Sequence, residues 1–403
     1  MAHDESGGTS APPYHPLDPA VMRDPMTAYA ALRERCPVHL VDDFSPPHYV
    51  VSRHDDVDAI LRSPDRWSSR LGHGPGISTG ALTLAYCDDP AHGEQRRLVN
   101  RAFTPRSVAQ MQDRVHEIAH ELIDGFVEAG SADLHDVFAT PLPIIVIAEM
   151  LGVPSNRMAD FKRWSDDSVL RLASGDPSSY AESAREFREF FAEAIAWRRS
   201  SLEAGEPVPD DLVSRLVQAE ERGTRLDDAQ ALGMIGQLLT AGNETTTSLL
   251  QNMVLRLCER PHLLDQLRAD PSLYEVAVEE SLRFDSPVLG LWRTPNADEI
   301  VGDVAIPADH KTQVLYASAN RDPDVWDDPD EFRLDRPLDQ LRRHLAFGVG
   351  PHYCLGASLA RMEARVGLQA LVERLPGLRL AGEPERIPAF FLWGVKSLPI
   401  AWG

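Results

Sequence analysis

Between Leu226 and Leu257 the chain carries its longest stretch of apolar residues at helical spacing. At 1.5 Å per residue such a helix would be about 48 Å long. Ala231, Leu232, Met234, Ile235, Leu238, Leu239, Leu249, Leu250, Met253, Val254 and Leu257 cover most of its circumference. The pattern predicts a helix that runs through the core, with the rest of the chain packed around it. Asp227, followed by Gln230 three positions later, supplies a capping-box start. Within this stretch Ala241-Gly242-Asn243-Glu244-Thr245-Thr246 interrupts the apolar pattern. Gly242 costs about 1 kcal/mol in a helix interior. Thr245 can bond back to the carbonyl four residues earlier and loosen the ladder. An acid and an alcohol in a locally opened core helix are costly for stability alone. A plain kink with a surface glutamate is the simpler alternative.

A second stretch, Phe347-Gly348-Val349-Gly350-Pro351-His352-Tyr353-Cys354-Leu355-Gly356, sets one cysteine among close-spaced glycines. Helical spacing begins straight after it, at Leu355, Leu359, Met362, Val366, Leu368, Leu371 and Leu375. Cys354 therefore sits at or just before a helix N-terminus, where unpaired N–H groups favour a thiolate. Gly348, Gly350 and Gly356 let something flat approach the backbone. Such a thiolate could be a nucleophile, a metal ligand or a haem ligand, although a lone cysteine is more often a small buried apolar residue.

The run F-G-x-G-x-H-x-C-x-G resembles, at every fixed position, the haem-thiolate loop of the cytochrome P450 family. The resemblance extends from roughly Pro25 to the C-terminus as one unit. It implies a mainly α fold with a small β-rich lobe, the cytochrome P450 (haem-thiolate) fold, over residues 20–403, behind a disordered leader at 1–19. It implies haem b as cofactor and Cys354 as the axial ligand of its iron. The other implied cofactor contacts are His92, Arg96, Ala241, Arg293, Phe347, Gly348, His352 and Gly356. His92 and Arg96 share a helix face, and with His352 and Arg293 they are expected on the two haem propionates. The hexamer at 241–246 resembles the family's oxygen-activation motif, with Glu244 where aspartate is commoner. That implies Thr245 holding dioxygen and Glu244 relaying protons. Glu280, Arg283 and Arg336 resemble the family's buried charge triad, a structural feature. The implied substrate pocket takes Leu84, Gln237, Thr240, Ala241, Val288, Leu289, Phe391 and Trp393.

The resemblance thus implies a monooxygenase that uses dioxygen on a small apolar molecule: a lipid, terpenoid, steroid or macrolide-like compound. A peroxide-driven peroxygenase and a non-catalytic haem-binding or recruitment module of the same fold are the alternatives. No flavin or iron–sulfur segment is recognisable, so electrons are expected from a ferredoxin and its NAD(P)H-dependent reductase. Arg97, Arg101, Arg106, Arg342, Arg343, His344, Arg361 and Arg365 flank the propionate helix and the cysteine loop and form the expected basic docking patch.

Net charge matters here because the 403-residue chain as a whole carries −22, which disfavours nucleic acid and anionic membranes as partners. Four cysteines without paired spacing indicate a reducing compartment, the cytoplasm. No apolar run reaches membrane-spanning length, so no membrane anchor is expected. Helices are expected at 27–35, 55–62, 107–128, 143–151, 156–173 and 180–204. Strands are expected at 38–41 and 49–51, 288–292, 300–306 and 313–316, and a long Gly-rich loop at 67–87.

Overall fold

The structure, a computed structural model, describes residues 14–76, 83–100, 103, 105–174, 180–221 and 224–403. The rest of the Gly-rich loop (77–82), Arg101 and the expected break at 175–179 lie outside the described residues.

The central helix runs from Asp228 to Cys258, 31 residues. Its capping box forms as expected: Gln230 N donates to Asp227 Oδ1 at 2.7 Å and Asp227 N to Gln230 Oε1 at 3.0 Å. Seventeen of its residues are buried, most of them beyond Asn243. Thr245 Oγ1 donates to Ala241 O at 2.7 Å, the back-bond expected, yet the helix stays continuous through 241–246 rather than opening. Helices Pro141–Leu151, Met158–Ser174, Ala181–Glu203, Leu273–Phe284 and Ala357–Arg374 all pack against it. The expected helix at 107–128 is divided, with Pro105–Ala109 leading into Gln112–Asp124.

The smaller lobe holds a five-stranded sheet of β1 (Val38–Val41), β2 (His48–Val51), β3 (Trp67–Ser68), β4 (Leu291–Pro295) and β5 (Thr312–Val314), in the order β1-β2-β5-β4-β3. β5 runs parallel to β2, and the other pairs are antiparallel. The strand expected at 288–292 lies three residues later. A Cβ at Gly290 would stand 2.5 Å from Val314 O, so the two backbones approach closely just before the pairing of Leu291 with Val314 begins, and Val288 bridges to Leu392. Tyr316, expected at the end of a strand, opens the short helix Tyr316–Ala319.

Of the expected leader, residues 1–13 lie outside the described residues. Tyr14 is buried against Tyr29, with ring centroids 6.2 Å apart, and a helix begins at Pro19.

Candidate functional site

The cysteine loop is a tight turn built by its own backbone. Cys354 N donates to Phe347 O at 3.0 Å and Tyr353 N to Gly350 O at 3.0 Å. Gly350 has φ +77°, and a Cβ there would meet Leu61 O at 2.6 Å, so only glycine fits. Cys354 is exposed, and Gly356 has nothing within 4 Å of where a Cβ would point. Crowding by protein pushes the Cys354 thiol up, against the expected direction. The N–H groups of Gly356 and Ala357 and the charges of Arg96 and Arg361 oppose this without overcoming it.

Glu280, Arg283 and Arg336 form the expected triad, all buried. Arg283 grips Glu280 in a fork, Nε to Oε2 at 2.7 Å and Nη2 to Oε1 at 2.8 Å, and Arg336 Nε reaches Oε1 at 3.3 Å. Both arginines also donate to carbonyls between Asn320 and Glu331, so every charge is hydrogen-bonded. Beside them Glu279, which the sequence reading passed over, reaches the cysteine loop itself. It accepts from His344 Nε2 at 3.0 Å, ahead of the loop, and from Arg361, behind it. Burial alone would raise its carboxyl, but those two donors pull it to about 2.

This geometry corrects the expected basic patch. His344 is buried, and its ring serves Glu279. Arg361 is held by Glu279, donates to Tyr353 Oη at 2.8 Å and lies 4.5 Å over the Phe347 ring. Arg342 pairs with Glu275 at 2.6 Å, and Arg365 donates to Gln112. Arg106 and Arg343 remain exposed side chains.

A cluster of basic groups gathers beside the loop. His92 opens the helix Ala91–Asn100 and Arg96 follows one turn later. The rings of His92 and His352 lie 4.0 Å apart, and His73 is 6.4 Å from His352. Arg293, on β4, donates to His73 Nδ1 at 3.1 Å. His73 in turn donates to Ala85 O. Burial, then Arg293, His92, His73 and Arg96, push His352 down to about 2, and burial and Arg293 push His73 down to about 3. Among the described residues the one carboxylate paired with this cluster is Asp89, 3.7 Å from His92. His73 and Tyr316, whose hydroxyl approaches Gly348 and Arg293, were not found from sequence. His73 sits in a stretch without periodicity, and Tyr316 reads as an ordinary strand aromatic.

The central helix carries the other half of the site. Ala241 and Gly242 are exposed in mid-helix, and nothing lies within 4 Å of a Cβ at Gly242. Glu244 and Thr245 are half-buried. Burial, then the charge of Asp166, pushes Glu244 up to about 7. Asp166 lies on helix Met158–Ser174, and its neighbour Ser165 accepts from Asn243 Nδ2 at 2.6 Å. Gln237 clasps the segment before helix Ala91–Asn100, donating to Thr83 O at 2.8 Å and accepting from Ala85 N at 3.4 Å. The segment 83–85 thus links the central helix to His73 and the basic cluster.

The pocket residues divide. Leu84 is held by Gln95 Oε1, 2.7 Å from its N–H, and is buried in the main core. Thr240 donates to Gly236 O. Val288 and Phe391 are half-buried. Leu289 and Trp393 are buried and belong to the cluster that also holds Tyr29, Val41 and Val50. Trp393 Nε1 donates to Asp285 Oδ1 at 2.9 Å, and Arg386 stacks 4.0 Å over its ring. An apolar, aromatic pattern has no marker that separates pocket from core.

A soft, accessible thiol, open backbone at Gly242 and Gly356, and the guanidinium groups of Arg96 and Arg293, which have no carboxylate partner among the described residues, fit a flat metal-bearing group with two carboxylates, which is haem b. The cytochrome P450 family profile matches residues 153–376. Cytochrome P450 107B1 of Saccharopolyspora erythraea is 35% identical over 96% of this chain and 97% of its own. The cytochrome P450 monooxygenase PikC of Streptomyces venezuelae is 37% identical over 100% of this chain and 97% of its own. The structure of cytochrome P450 CYP109Q5 from Chondromyces apiculatus superposes with a TM-score of 0.87 at 38% identity, covering 96% of this chain and 97% of that one. With the cysteine loop, the basic cluster and the acid–alcohol pair on one frame, the chain belongs to the cytochrome P450 family of haem-dependent monooxygenases.

Proposed function

We propose that this P450 inserts one oxygen atom from dioxygen into a small, mainly apolar molecule, with electrons from a ferredoxin and its NAD(P)H-dependent reductase. The observation that carries it is Glu244, a carboxyl poised at about 7 beside Thr245. A group that both holds and releases a proton near neutral pH suits reductive dioxygen chemistry, which consumes protons. Bound haem supplies the oxidising chemistry, and thiolate ligation favours O–O cleavage.

Cys354 is the proposed iron ligand. Arg96, Arg293, His92 and His352 would hold the two carboxylates, with His73 orienting Arg293. Phe347, Gly348 and Gly356 leave room for the ring plane. Thr245 donates its own proton to Ala241 O, so its oxygen lone pairs face away and would be free to accept a hydrogen bond from water at the site. Glu244 passes protons to that hydroxyl from the side of Asp166. Leu84, Gln237, Thr240, Ala241, Val288 and Phe391 would border the substrate.

No helix among the described residues is long and apolar enough to cross a membrane. The four cysteines are all free, which supports a cytoplasmic location. The acid–alcohol pair favours the reductive route over the peroxide-driven or purely binding alternatives.

The test is a carbon monoxide difference spectrum of wild type and Cys354→Ala, then turnover with a surrogate ferredoxin chain against turnover with peroxide. The thiolate signature should vanish in Cys354→Ala, and the ferredoxin chain should outperform peroxide. An unchanged spectrum rules out Cys354 as ligand, and faster peroxide turnover favours the peroxygenase.

A further inference from the structure

One face of the five-stranded sheet is polar where a buried sheet face is ordinarily apolar. Gln313 on β5 pairs with Trp292 on β4 and with Val50 on β2, so these three point to one side. Two residues along, the same register brings His48, Lys311 and Thr294 to that side. Arg293 and Thr312 alternate to the other. His48, Trp292, Thr294, Lys311 and Gln313 are all at least 96% buried.

Most of their polar atoms find no partner. Both ring nitrogens of His48, Trp292 Nε1, Thr294 Oγ1 and Gln313 Oε1 lack a hydrogen bond. Pro46 O approaches His48 closely enough to favour its protonated form slightly, but outside hydrogen-bond geometry; burial dominates and pushes the ring down to about 4. Lys311 Nζ donates to Leu71 O at 2.7 Å and to Gly72 O at 2.9 Å, which leaves one of its three donors. Among the described residues no carboxylate pairs with it. Burial, then Arg293, push it down to about 8.

Buried polar groups are nearly always paired, and five orphaned atoms on one face call for a partner from outside the chain. An ammonium, an indole N–H and a hydroxyl are donors. Gln313 joins them if its amide is turned over, an assignment that its surroundings decide. The missing partner is therefore rich in acceptors and negatively charged. Beside these groups stands an aromatic wall. Phe44 meets the His48 ring edge-on at 4.8 Å, and Phe390 lies 5.9 Å from Trp292 and 5.6 Å from Phe391. Phe44 and Phe390 are half-buried, so the wall reaches the surface.

We propose that this sheet face binds the anionic head of the substrate, an amphiphile with one terminal carboxylate whose apolar body lies along Phe44, Phe390 and Phe391. This rests on the monooxygenase reading and narrows its substrate class. Lys311 supplies the charge, Trp292 and Thr294 direct hydrogen bonds, and His48 and Gln313 adapt to complete the shell.

The experiment is a spin-state titration of the haem-loaded protein with dodecanoate and with methyl dodecanoate. Wild type should bind the acid at least tenfold more tightly than the ester. Lys311→Met should abolish that preference while leaving ester affinity, haem content and the carbon monoxide spectrum intact. Gln313→Glu, which adds a repelling charge, should weaken the acid alone by tenfold or more and serves if Lys311→Met does not fold. Equal affinity for acid and ester in wild type, absence of dodecanoate binding, or equal weakening of both ligands in the variants overturns the proposal. Loss of haem from Lys311→Met overturns it too, since Lys311 would then serve the cofactor. Loss of the thiolate spectrum in wild type would instead refute the monooxygenase reading.

Discussion

The ring of His352, two residues before the cysteine, lies 4.0 Å from the ring of His92, which opens a helix 260 positions earlier in the chain. Burial lowers both rings, with Arg293 adding to the effect on His352, and the carboxylate of Asp89 beside His92 opposes it without overcoming it. Replacing either ring with leucine should leave the fold intact and loosen haem. Loss of one charge-assisted hydrogen bond, worth roughly 1.5–3 kcal/mol, would speed haem transfer to an acceptor globin about ten- to a hundredfold. Transfer at the wild-type rate in both variants would remove these residues from the proposed contacts.

Thr245→Ala should continue to consume reductant and release peroxide in place of product. Glu244→Gln cannot exchange a proton, so the inflection near pH 7 in the rate profile should disappear and turnover fall by about a hundredfold. Full coupling in Thr245→Ala, or a wild-type pH profile in Glu244→Gln, would sink the relay.

Glu363, on the helix after the cysteine loop, is buried with Oε2 unpaired, and burial pushes its carboxyl up to about 8. The folded chain therefore holds this proton more tightly than the unfolded chain, whose carboxyl titrates near 4.5. Its contribution to stability is complete below about pH 4.5 and is lost as pH rises toward and through 8. Glu363→Gln keeps the shape and removes the titration. Urea unfolding should show the variant about 1–3 kcal/mol more stable than wild type at pH 8 and little different at pH 4.5. Parallel curves at both pH values would contradict this.

Arg343 is the cleanest probe of the electron donor, because Arg342, Arg361 and Arg365 have partners within the chain. Arg343→Glu should slow reduction by a ferredoxin several-fold while substrate affinity stays the same. In wild type the rate should fall as salt rises past about 0.15 M, where exposed charges are screened beyond about 8 Å. A rate indifferent to both salt and charge reversal would place the docking site elsewhere.

The central helix, its capping box and the Thr245 back-bond were legible because each is a local rule applied to consecutive residues. The Glu280–Arg283 pair was legible for the same reason. Arg336 and the basic cluster became readable only through family resemblance, since His92, Arg293 and His352 are far apart in the chain. His73 and Glu279 escaped notice: neither spacing nor residue type distinguishes a carboxylate that spans a loop from one on a solvated helix. Leu289 and Trp393, expected at the pocket, lie in a buried cluster, and sequence does not separate the two settings because apolar and aromatic side chains look alike whether they face a ligand or one another. Gln313 read as an ordinary strand residue, and Lys311 fell between expected strands, until the register put both on a buried face.

Glu279 grips the chain on both sides of the cysteine, through His344 before it and Arg361 after it. The loop is thus a bracket with both feet bolted to the same post. One carboxylate on helix Leu273–Phe284 thereby fixes the spacing between the residue that leads into the loop and the residue on the helix that leaves it, so the two ends of the turn are held from outside as well as by its own backbone.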